Sequence, residues 1–143
     1  LLLAAIIGLP GLALVAVSQA MGWNSDLIAA PSDSLWWRIP VLALKSFGNG
    51  FAEEVVVVGY FMTRLRQLGL GSGATLWSSA LLRGGYHLYQ GVGAGLGNLV
   101  MGLVYGRWYQ ATNRLWPLVF AHALIDTVAF VGYAVLVQTG VIG

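Results

Sequence analysis

Six ionisable side chains stand where a chain this apolar has little room for charge. Glu53 and Glu54 open the run "EEVVVVGY", Arg83 and His87 lie four residues apart in "RGGYH", and His122 and Asp126 lie four apart in "HALID". A carboxylate paired with a histidine can take a proton from water, and a second polar pair can stabilise an oxyanion as it forms. Those are the parts needed to hydrolyse a peptide bond. Residues four apart share one helix face, so Arg83 with His87 and His122 with Asp126 each form a pair. Adjacent residues on a helix point about 100° apart, so Glu53 and Glu54 cannot do the same job. A metal reading competes: Glu53, His87 and His122 match the ligand chemistry of a catalytic zinc site. The strong sequence sign of such a site, a His-Glu-x-x-His helix, is absent.

The elements that must carry these residues follow from composition. Only 8% of the 143 residues are charged and 58% are hydrophobic, against about 25% charged in a soluble domain. The chain therefore reads as all-α, a polytopic transmembrane helical bundle of about five spanning helices. Residues 1–21 form the first apolar segment, with Gly8, Pro10 and Gly11 expected to kink it. A polar loop follows over residues 23–34, and "PSDSLWW" suggests an N-cap beside an interfacial Trp36–Trp37 pair. The second segment, residues 35–68, exceeds the ~20 residues needed to span, so it should tilt, break near "FGNG" or protrude. The remaining segments are expected over residues 74–89, 94–109 and 116–137. Period-2 alternation, the mark of a membrane β-barrel, is missing.

A charge at the bilayer centre costs ~2.5–3.5 kcal/mol, so the six side chains should converge in one polar pocket inside the bundle. Counting helical rise from Arg64, Ala74 and Arg114 brings Glu53, His87 and His122 to depths within about one turn of each other. The shared site is expected toward the half of the membrane that holds Arg64. Arg64 and Arg66 end segment two, and Arg107 and Arg114 lie between segments four and five, so an up-and-down topology puts both clusters on one side. The excess of basic residues makes that side cytoplasmic in an integral protein of a bacterial plasma membrane. The net charge of +2 lacks any basic run that would bind nucleic acid. With no cysteine there is no disulfide framework and no thiolate chemistry. One domain over residues 1–143 is expected, with its site-bearing core at about 45–130. The opening "LLLAAIIGLP" has no initiator Met and no basic n-region, which suggests missing upstream helices rather than a signal peptide.

In order along the chain, "EEVVVVGY", "RGGYHLYQ", "NLVMGLVYGRWY" and "HALID" resemble the intramembrane CAAX protease and bacteriocin-processing (CPBP, or Abi) family, which includes the type II CAAX prenyl endopeptidases. The family pattern is a Glu-Glu motif ending in Arg-Gly, a Phe-xxx-His motif, a Gly-spaced helix, and His-xxx-Asn or His-xxx-Asp. The resemblance implies an intramembrane endopeptidase that acts near the membrane surface. It implies Glu53 and His87 as the water-activating pair, His122 and Asp126 as the oxyanion side, and Glu54 as a structural carboxylate holding a cation. It also favours a metal-free mechanism. Two positions depart from the pattern. The family's arginine is Val58 here, and its phenylalanine is Arg83. The expectation is that the guanidinium has moved helices, so that Arg83 reaches Glu54, and also Glu53, with a bidentate hydrogen bond.

Around this core the residues are read conservatively. Tyr86 is a candidate for lining the pocket, although an aromatic residue at a segment end commonly belongs to an interfacial belt. Asn98 is a second candidate, but with Gly102 and Gly106 it first forms a close-packing stripe. A peptide or membrane-protein substrate and the lipid bilayer are the expected partners. Two other functions remain open: an impaired member acting as a scaffold with partner subunits of a membrane complex, and a small proton or ion translocator built on the carboxylate–histidine chain.

Overall fold

Long apolar runs without alternation wind into helices, because the backbone then satisfies its own polar groups. In the computed structural model, residues 1–24 and 36–138 are described, the last three by backbone alone. The helices are α1 (Leu2–Ala20), α2 (Arg38–Glu53), a π-helical stretch (Glu54–Phe61), α3 (Met62–Gln67), α4 (Ser72–Tyr86), a 3₁₀ turn (Leu88–Gln90), α5 (Val92–Thr112) and α6 (Trp116–Gln138). Among the described residues the chain is all-helical apart from one isolated bridge between Asn24 and Gly91. Most of the loop expected over residues 23–34, and the N-cap expected within "PSDS", lie outside the described residues.

α1 carries Pro10 within its length. Two boundaries differ from expectation. α2 does not break at "FGNG", because Gly50 is used for packing. A Cβ there would stand 3.0 Å from the Ala123 nitrogen and 3.3 Å from His122 Cβ. The departure from α-helical winding comes one turn later and is a widening, not a break. α4 stops at Tyr86, so His87 is its C-cap rather than a residue within the segment.

α2 packs along α6, α4 along α5, and α1 against α5 and α6. The α4–α5 seam is as close as the glycine stripe predicts. A Cβ on Gly102 would meet Ala80 Cα at 2.9 Å, and one on Gly84 would meet the Gly95 oxygen at 2.9 Å. The apolar core joins Ala4, Val58, Met62, Met101, Tyr105, Leu118 and Ala121.

The distribution of polarity is inverted relative to a water-soluble domain. Ser46, Glu54, Thr75, Ser79 and Arg83 are fully buried, while Leu9, Val56, Leu81, Val100 and Phe120 lie half or more exposed. Such a surface suits lipid, where apolar side chains face outward and polar ones must pair inside. Among the described residues two helices qualify as membrane spans by length and composition, Leu2–Ala20 with mean hydropathy 2.0 and Trp116–Val135 with 1.8.

Candidate active site

Glu53 closes α2 and Glu54 opens the π-helical stretch. π-Winding holds more residues per turn, so successive side chains diverge less than on an α-helix, and such segments concentrate at functional sites. Neighbouring hydroxyls serve the altered ladder: Ser79 Oγ donates to the Val57 oxygen at 3.0 Å, and Thr63 Oγ1 to the Gly59 oxygen at 2.6 Å.

The polar groups form two connected layers. In the inner layer Glu54 Oε1 accepts from Arg83 Nη2 and from His122 Nδ1 at 2.8 Å, all three side chains being buried. The close approach of α6 at Gly50, one turn before Glu54, is what brings His122 within reach. His122 Nε2 faces Asp126 Oδ1 at 3.6 Å, and Asn49 Nδ2 donates to Asp126 Oδ2 at 2.9 Å. The guanidinium carbon of Arg83 lies 5.8 Å from the centre of the Tyr105 ring, a cation–π contact within the core.

In the outer layer Glu53 Oε2 accepts from the Tyr86 hydroxyl at 2.7 Å and from Arg83 Nη2 at 3.4 Å. Glu53 Oε1 faces His87 Nε2 at 3.7 Å. His87 Nδ1 lies 3.0 Å from the Arg83 carbonyl oxygen. A carbonyl can only accept, so Nδ1 carries a proton, and in the neutral imidazole the Nε2 lone pair is turned toward Glu53. Glu53 and His87 open onto a cavity of about 190 Å³, also lined by Lys45, Asn49, Tyr86, Tyr89, Gln90 and Phe130.

Several expectations change here. His122 and Asp126 do meet on one helix face, but His122 stands behind the cavity wall, with Glu54 as its nearer partner. Arg83 reaches both glutamates, yet a single nitrogen serves them; Nε and Nη1 have no hydrogen-bond partner among the described residues. The bidentate fork is absent because Nη2 lies between the two carboxylates and meets one oxygen of each, Glu54 Oε1 and Glu53 Oε2, which leaves Glu54 Oε2 without a hydrogen-bond partner among the described residues. Tyr86 turns inward to line the cavity. Asn98 does not, since its amide donates to the Ala94 oxygen at 3.1 Å on its own helix. The cavity opens where α4 ends, beside the second half of α2, and away from the Arg64–Arg66 end. Asn49 was missed because "FGNG" reads as a breaker, although Lys45, Asn49 and Glu53 repeat at four-residue spacing along one face of α2.

Glu53, His87 and His122 do not gather as metal ligands. Among the described residues no three His, Asp or Glu side chains form a group able to hold an ion together, and both ring nitrogens of His122 already face carboxylates. A larger cleft of about 770 Å³ lies between α1, α5 and α6, but its walls are almost wholly apolar and none of these groups lines it.

The family model for the Rce1-like type II CAAX prenyl endopeptidases matches residues 34–128. No curated protein and no solved structure matches the chain.

Proposed function

The chain belongs to the Rce1-like family of type II CAAX prenyl endopeptidases, and from that premise we propose that it is an intramembrane endopeptidase in which Glu53 and His87 activate the hydrolytic water. The observation that carries this reading is the facing pair Glu53 Oε1 and His87 Nε2, two acceptors 3.7 Å apart at the cavity floor. Water can donate one hydrogen to each and present its oxygen lone pair to a scissile carbonyl carbon. As the new C–O bond forms, Glu53 takes one proton. When the C–N bond breaks, that proton passes to the leaving amine nitrogen.

His122 and Asp126, the oxyanion side that the family resemblance implies, stand behind the cavity wall and reach it through Asn49, which lines the cavity and donates to Asp126. Glu54 holds Arg83 and His122 in place and takes no proton from substrate. The mechanism uses no metal ion. What supports this is the engagement of both His122 nitrogens with carboxylates, which leaves no third His, Asp or Glu ligand beside Glu53 and His87 among the described residues. Arg83 on the glutamates supplies the positive charge that Val58 lacks, which supports an active enzyme over a scaffold. We read all five long segments as spanning, with the Arg64/Arg66 and Arg107/Arg114 ends cytoplasmic.

The test is cleavage of an internally quenched CAAX peptide, with and without a farnesyl group, by the purified chain in detergent. Glu53→Gln and His87→Ala should each lower turnover by about 100-fold or more, with thermal unfolding unchanged, and EDTA should leave the wild-type rate intact. Wild-type protein that is folded yet cleaves neither peptide, or full activity in Glu53→Gln, would refute the reading.

A further inference from the structure

We propose that Tyr86 is a positioning residue for this reaction, one that sets both members of the water-activating pair; the inference rests on the roles given above to Glu53 and His87. Two independent contacts converge on it. Its hydroxyl donates to Glu53 Oε2 at 2.7 Å. Its ring packs on the His87 imidazole, with centroids 4.6 Å apart and planes tilted by 37°.

Adjacent helical residues diverge by about 100° and do not serve one target. Tyr86 and His87 do so because α4 ends between them. Tyr86 is the last helical residue, and His87, at φ −95° and ψ −4°, is the C-cap that leads into the 3₁₀ turn. A tyrosine of an interfacial belt would turn its hydroxyl outward to headgroups. This one turns it inward to a carboxylate.

The carboxylate plane of a glutamate is only loosely fixed, since its last torsion is broad and roughly two-fold. Arg83 Nη2 alone holds Oε2 at 3.4 Å, near the long limit of a hydrogen bond. The phenol supplies the shorter contact to the same oxygen, and that leaves Oε1 as the one presented to His87 Nε2. The ring contact meanwhile holds the imidazole, whose other nitrogen is tied to the Arg83 carbonyl. One side chain thus orients base and partner toward each other, and its two contacts are separable. Tyr86→Phe removes the donor and keeps the ring, whereas Tyr86→Leu removes both.

With the quenched CAAX peptide as probe, Tyr86→Phe should lower kcat by about tenfold, the scale of one hydrogen bond, with KM within about twofold. Tyr86→Leu should lose more. In a Glu53→Gln background Tyr86→Phe should cost nothing further, since its effect passes through that carboxylate. A second measurement needs no turnover. Infrared difference spectra of wild type against Glu53→Gln locate the Glu53 carboxylate bands, and these bands should shift in Tyr86→Phe. Unmoved bands, an unchanged kcat, or a loss confined to KM would overturn the inference. If no protein cleaves either peptide, the proposed activity falls alone, and the infrared bands still decide whether Tyr86 holds the carboxylate.

Discussion

A single nitrogen of Arg83 holds two glutamates on another helix, while the position where the family pattern has arginine is an apolar valine. Val58 is fully buried beside Met62 and Tyr105, so the guanidinium enters from α4 instead and reaches the carboxylates over the Tyr105 ring. The pairing was legible in the sequence, because Arg83 is the one arginine deep in an apolar segment and charges there must find partners. Its geometry was not legible. Sequence spacing ties His122 to Asp126 but says nothing of Glu54, which sits on another helix 68 residues away. Removing one member of a buried ion pair strands the other, at a cost of ~3–5 kcal/mol. Arg83→Leu should therefore lower the unfolding temperature of the purified protein and abolish cleavage. Adding Val58→Arg should recover part of both losses, because position 58 lies about one turn beyond Glu54 on the same rod. A double mutant no better than Arg83→Leu would count against a shared electrostatic role for the two positions.

At the scale of elements, two local features set the site. π-Winding begins at Glu54, directly after Glu53, and runs to Phe61, and close helix contacts bring the partners of the two glutamates within reach. The sequence announced the glycines of the α4–α5 seam by their four-residue spacing. It did not announce the π-helix, whose extra residue per turn is stabilised by tertiary groups such as the Ser79 hydroxyl on the Val57 oxygen. It also misjudged Gly50, which reads as a breaker in isolation and proves to be a contact point once α6 lies against it. The seam can be tested by contrast. A Cβ on Gly102 would meet Ala80 Cα at 2.9 Å, whereas nothing lies within 4 Å of one on Gly85. Gly102→Val should destabilise the protein by ~1–3 kcal/mol through overpacking, read as a lower unfolding temperature in detergent. Gly85→Val on the open face should fall well short of that. Equal effects of the two would show that the α4–α5 approach does not depend on the missing side chain.

For the whole molecule, burial is inverted, with a charged cluster inside and large apolar side chains outside, and the cavity opens at the end where α4 finishes. If the basic ends are cytoplasmic, that mouth faces the opposite side of the membrane. The chain contains no cysteine, so single cysteines report cleanly. Gln90→Cys should react with a membrane-impermeant maleimide on intact cells, and Arg66→Cys only after the cells are opened; the reverse pattern would invert the topology. The sequence by itself determined the helical, lipid-facing character of the protein, its family, and the residues that had to pair, because low charge, long apolar runs and motif order are properties of the chain alone. Only the tertiary structure decided which carboxylate each cation meets, that His122 stands behind the cavity wall and Tyr86 within it, and that the cavity opens away from the Arg64 end. Those outcomes depend on the rotation and approach of helices far apart in sequence. Local periodicity gives the face of each helix, but only packing between helices decides which faces meet and at what depth.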